Sequence, residues 1–211
     1  MVPINELLLF SLAAFVLVIS PGPNMLYLIS RSITQGKKAG VISLAGVICG
    51  FLFHIAMVSF GLTAVLFAVP IAYTILKTIG VFYLLYLAFQ AIRPNSKGIF
   101  ETQDNLSIDK PCKLFRIGFL TNVLNPKVAV FYLSFFPQFI KPEYGSIFTQ
   151  SIQLGITQIL VSFSVNFIIV LTASKVSGFF SNNSVWIKAQ KWFMAGVLTA
   201  LAVKMTFTKA K

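Results

Sequence analysis

Ser20-Pro21-Gly22-Pro23-Asn24 interrupts a stretch that otherwise has the length and apolar character of a membrane-spanning helix. Apolar residues run from Leu7 to Ile19, and Met25-Leu26-Tyr27-Leu28-Ile29 resumes the run after the break. Proline has no N–H for the helix ladder, and its ring clashes with the preceding turn. Two prolines around a glycine therefore leave backbone carbonyls and amides without intrahelical partners at membrane depth. Hydrocarbon tolerates such groups only where protein buries them or a wet cavity meets them. Discontinuous helices of this kind build the solute sites of secondary transporters.

The rest of the chain fits that setting. Of 211 residues, 57% are hydrophobic and 10% charged, and the mean hydropathy is +0.86, as in an all-α polytopic membrane protein. Six spans are expected at roughly 5–30, 41–67, 72–92, 117–140, 147–174 and 191–208, each close to the ~20 residues that cross a bilayer. The net charge of +12 lies between these spans and not on a soluble basic face, which excludes nucleic acid as a partner and leaves membrane lipid. Cys49 falls in a span and Cys112 in a polar loop, so no metal or redox pair is spelled out and no cofactor is implied. The N-terminus lacks the positive start of a signal peptide, so the first span is expected to be retained.

Eleven lysines and arginines lie in the first, third and fifth loops, against Lys77 and Lys141 on the other side. The positive-inside rule then makes the odd loops cytoplasmic and both termini periplasmic, with the tail lysines Lys204, Lys209 and Lys211 dissenting.

A second break, Asn125-Pro126-Lys127, stands in span four where the first stands in span one. Gly80-Val81 with Leu85 in span three is echoed by Gly196-Val197 with Leu201 in span six. A unit of three spans repeated once must be inverted, so the expected organisation is one transporter domain. It comprises a first unit at 1–92, a cytoplasmic linker at 93–116 and a second unit at 117–211.

The middle span of each unit carries a stripe at helical spacing. Ser43, Gly46, Gly50, His54, Met57 and Gly61 form one; Ser151, Gly155, Gln158, Ser162 and Asn166 form the other. The glycines suit close helix packing, within the chain or in a homodimer. Gln158 and Asn166 suit a wet path, because lone amides facing lipid are costly.

These letters resemble the LysE/RhtB family of amino-acid exporters over essentially the whole chain. The resemblance is carried by Ser20-Pro21-Gly22-Pro23-Asn24, the turn from Gly36 to Gly40, Gly46 with Gly50 and His54, and Gly61-Leu62. The run from Gly118 to Lys127 and Phe136-Pro137-Gln138-Phe139 carry it in the second half. It implies a bacterial inner-membrane protein that exports amino acids or close derivatives on the proton gradient. The chain is similar to the homoserine/threonine branch, which has a histidine where His54 stands. It departs from the lysine-exporting branch, whose span two carries an acid, so a neutral substrate is expected.

A zwitterion needs donors for its carboxylate and acceptors for its ammonium. Helices restarting after Pro23 and Pro126 offer free amides and a positive dipole end. Carbonyls released before the breaks and the oxygens of Asn24 and Asn125 offer acceptors. The expected substrate-binding set is therefore Pro21, Gly22, Pro23, Asn24, Asn125, Pro126 and Lys127, with Gln158 and Asn166. Lys127 either meets the carboxylate or snorkels to the boundary. His54, the single histidine, is the candidate for proton coupling, with a satisfied buried histidine as the plainer alternative. An enzyme would need a nucleophile–base pair or a metal cluster, which one histidine and two distant cysteines do not provide. A metal-cation exporter is the nearest rival, yet every Asp and Glu falls in a span end or a loop.

Overall fold

The computed structural model describes residues 1–20, 22–62, 70–93, 108–180 and 184–207, and every regular segment among them is helical. In chain order the α-helices are α1 (Ile4–Ile19), α2 (Pro23–Thr34), α3 (Gly36–Met57), α4 (Pro70–Ile92), α5 (Pro111–Val123), α6 (Pro126–Val130), α7 (Ile147–Phe180) and α8 (Ser184–Phe207). Four of them open on a proline, where the missing N–H belongs to a position that has no intrahelical acceptor anyway. Pro21, the greater part of the 93–116 linker and the tail lysines Lys209 and Lys211 lie outside the described residues.

Both expected breaks are present. α1 and α2 meet at a bend of 56°, and α5 meets the segment from Lys127 to Phe139 at 46°. Among the described residues, Gly36–Phe60 and Ile147–Ala173 are each long and apolar enough to cross a bilayer. The two bent pairs raise the number to four if each counts as one span.

The helices outrun the expected spans. α3 starts at Gly36 and not near residue 41, and only Gln35 separates it from α2; a positive φ of 81° at Gly36 makes this sharp reversal. α5 starts at Pro111 and not near 117, α7 continues to Phe180, and α8 starts at Ser184 and not near 191. Apolar windows mark the lipid-immersed part of a helix, while the hydrogen-bond ladder continues into polar flanks such as Lys113 and Arg116. Two further departures are π-helical turns at Val58–Leu62 and Phe131–Phe135. The second directly precedes a 3₁₀ turn, Phe136–Phe139, in which Pro137 cannot donate to Leu133. The Gln138 amide donates to the Ser134 carbonyl at 2.9 Å across this irregular stretch.

The exterior is apolar and the interior partly polar, the distribution of a multi-pass membrane protein. Leu12, Phe82, Leu160 and Ile168 are exposed, whereas Ser43, Asn122, Gln158 and Ser162 are wholly buried. α3 packs most extensively on α5, and α4 on α8; α7 lies against α1, α2 and α3. The glycines explain the α3–α5 crossing. A Cβ on Gly46 would stand 2.1 Å from the Phe115 carbonyl oxygen, and one on Gly118 2.3 Å from that of Ser43. A Cβ on Gly50 would stand 2.5 Å from Asn122 Cβ. The stripe on α3 is thus a packing face inside the chain. Met57 does not share it and is half exposed, in the last turn of α3 where the π-helical turn begins. All five members of the α7 stripe are buried.

Phe10 of α1 holds the two bent helices together in the core. Its ring lies 5.7, 5.6 and 5.2 Å from those of Phe131, Phe136 and Phe139, the last two edge to face.

Candidate functional site: the cleft between two helix breaks

Where α1 stops, its last carbonyls have no amide to accept from. Lys127, the second residue of α6, supplies the donor. Its Nζ lies 3.0 Å from the Leu17 carbonyl oxygen and 2.5 Å from that of Ser20. A cation at a helix C-terminus also meets the negative end of the dipole. Gly22 makes room for the lysine: an added Cβ would sit 3.0 Å from Nζ and 3.2 Å from Cε. The two breaks are therefore in direct contact, and a side chain of the second completes the first.

Asn125 caps α6, its Oδ1 accepting from the Lys127 backbone N–H at 3.0 Å. The cap orients the lysine toward α1 by fixing the backbone from which it projects. This leaves Asn125 Nδ2 buried without a partner.

Beside this junction lies a narrow cleft of about 20 Å³, about the room of one water. Leu17, Val18, Met25, Phe51 and Val128 give it apolar walls; Asn24, Lys127, Ser162 and Asn166 give it polar groups. Asn24 Oδ1 is buried and unpartnered, so an acceptor is on offer there. Asn166 Nδ2 donates back to Ser162, to the carbonyl at 2.9 Å and to Oγ at 3.1 Å. Lys127 has three N–H donors and uses two on α1, leaving one for the cleft. In kind these groups match one carboxylate, one ammonium and an uncharged side chain, which the cleft must widen to admit.

Of the expected site residues, Asn24, Lys127 and Asn166 line the cleft, Gly22 and Asn125 position Lys127, and Pro23 and Pro126 begin the restarted helices. Gln158 lies one turn along α7 from Ser162, wholly buried, with both amide atoms unpartnered. His54 stands apart, stacked on Tyr132 at 5.2 Å, with Nε2 3.3 Å from the Asn122 carbonyl oxygen. Tyr132 in turn lies 6.4 Å from Phe51, ring to ring, so two aromatics separate His54 from the cleft. Sequence reasoning missed Asn122 and Tyr132, whose side-chain polar atoms are buried and unpartnered. Asn122 sits three residues before Asn125, a spacing that could have marked it.

Residues 15–209 match the family model of the LysE type translocator. The chain belongs to this family. Homoserine/homoserine lactone efflux proteins of Salmonella typhimurium (strain LT2) and Salmonella typhi are each 30% identical to this translocator over 186 residues, 88% of the chain and 85% of the relative. A leucine efflux protein of Salmonella choleraesuis (strain SC-B67) is 30% identical over 133 residues, 62% of the chain and 61% of that protein. No solved structure matches the translocator. These relatives are efflux transporters and not enzymes.

Proposed function

We propose that this translocator exports neutral amino acids or close derivatives across the bacterial inner membrane, binding them in the cleft between the two breaks. The observation that carries this is the Lys127 ammonium, fixed by two α1 carbonyls with one donor left over, beside the unpartnered Asn24 oxygen. The spare N–H and the first amides of α2 take the carboxylate. Asn24 Oδ1 takes the ammonium, and Leu17, Val18, Met25, Phe51 and Val128 surround the side chain. The carbonyls of Leu17 and Ser20 and the oxygen of Asn125 serve Lys127, so they hold the substrate only through it. Among the described lining residues there is no carboxylate, which favours a neutral over a cationic side chain.

Homoserine and leucine, named for the relatives, are the probes to use. Their binding to purified protein, measured by calorimetry, should be lost in Asn24→Ala while the variant stays folded and membrane-inserted. Wild-type affinity in that variant would move the site elsewhere.

Alternating access around this site fits an inverted pair of three-span units. The pairing of α3 with α5 has a counterpart in that of α7 with α1 and α2, and α4 with α8 joins the two last members. Coupling to protons is assigned to His54, with both termini periplasmic. In proteoliposomes His54→Gln should bind substrate normally yet lose the response of efflux to an imposed pH gradient.

A further inference from the structure

The two bent helices that meet at Lys127 are also tied to each other at both of their far ends. At one end Arg31, in the last turn of α2, places Nη1 2.7 Å from Asp109 Oδ2, just before α5. Lys113 holds the other oxygen of Asp109 at 2.5 Å, and the Asp109 backbone N–H donates to Gln35 Oε1 at 2.9 Å. Arg31 also lies over the Tyr27 ring, whose hydroxyl donates to the Leu114 carbonyl at 2.7 Å. At the other end Lys141, beyond the 3₁₀ turn, donates to Glu6 Oε1 in the first turn of α1 at 2.8 Å.

Glu6 and Arg31 are 25 residues apart, at most about 37 Å and somewhat less across the 56° bend, which puts the ties toward opposite faces of the membrane. Between them stand the two breaks and the cleft. Of the three acidic residues among the described ones, Glu6, Asp109 and Glu143, two are used in these ties. A solute can leave the cleft toward one face only if the bent helices part at that end and stay joined at the other. The breaks are the natural places for such a movement to pivot.

We infer that Arg31–Asp109 and Glu6–Lys141 are a reciprocal pair of gates, each closing the route from the cleft on its own face and released in alternation. They are positioning residues, since none of the four lines the cleft. The proposal rests on alternating access around the cleft, and its test needs no substrate.

Val18, in the cleft wall, is replaced by cysteine after Cys49→Ser and Cys112→Ser, and a membrane-impermeant thiol reagent is applied to right-side-out and inside-out vesicles. The exposed Cys112, three residues from Asp109, reports in a separate sample which face is which. Asp109→Asn should raise labelling from the Asp109 face relative to the other by about tenfold, as breaking a buried pair allows. Glu6→Gln should shift the ratio the opposite way by about threefold, since that pair is partly exposed. The exchange Glu6→Lys with Lys141→Glu should return it to the wild-type ratio. Shifts in the same direction, or unchanged ratios with only a lower melting temperature, would make the ties static clamps and overturn the gates. Labelling from neither face in any variant would overturn alternating access at this cleft and the gates with it, a failure separate from loss of amino-acid binding.

Discussion

Lys127→Met keeps the length of the side chain and removes its charge, so it separates what the ammonium does for the fold from what it does for the solute. In the protein Nζ reaches the Leu17 and Ser20 carbonyl oxygens. Stranding two buried acceptors costs about 1–3 kcal/mol each. Against this, the variant no longer desolvates an ammonium, a penalty of several kcal/mol. The two largely cancel, so the net change in stability should stay within about 2 kcal/mol, or about 4–8 °C in melting temperature for a chain of this size. Solute binding has no such compensation. A hydrogen bond to a charged group is worth about 1.5–3 kcal/mol, so leucine or homoserine should bind about ten- to hundredfold more weakly. Thermal unfolding in detergent and calorimetric binding on the same preparation read both quantities. A variant that melts far below the wild type yet binds with unchanged affinity would refute the reasoning, and make Lys127 a structural cap alone.

Gly22→Ala should weaken binding less than Lys127→Met, because its Cβ, 3.0 Å from Nζ, obliges the lysine to yield by a few tenths of an ångström; the same calorimetry measures it. Gly46→Ala should be among the most destabilising single changes, since the backbone of α5 stands 2.1 Å from the new atom and cannot move without the helix; a loss of about 1–3 kcal/mol in detergent unfolding is expected. The Asp109 carboxyl is held below its ordinary 3.8 by its hydrogen bond to Lys113 and by Arg31, against the opposing effect of burial. Its tie therefore stabilises the fold fully above pH about 4 and loses that contribution as pH falls through the lowered value. The gap in melting temperature between wild type and Asp109→Asn should shrink below pH about 4 and stay constant from 5 to 7.

The breaks at Pro23 and Pro126 were legible because a proline leaves the same mark on any helix, whatever surrounds it. The two stripes at helical spacing were legible as positions but not as roles. Asn166 turns out to bond its own helix, and Gln158 lies beyond the cleft lining. The glycine face of α3 reads equally well as a packing seam inside the chain or between two copies until Phe115 and Asn122 are seen against it. The cap role of Asn125 follows the ordinary preference for asparagine before a helix and could have been read directly. What no periodicity encodes is that Lys127 crosses to a carbonyl 110 positions earlier, or that Arg31 finds Asp109. Helix ends were misplaced wherever hydrophobicity stops before the hydrogen-bond ladder does, as at Pro111 and Ser184.

The repair of the first break by a lysine of the second has a consequence for how the protein is made. When the first apolar stretch leaves the ribosome, the amine that will satisfy its stranded carbonyls is more than a hundred residues from being synthesised. Until then those oxygens must keep water or a partner from the insertion machinery, because hydrocarbon offers them nothing. The first half of the chain therefore enters the bilayer as an unfinished object, held near a wet surface and committed to its final depth only when the helix that carries Lys127 arrives.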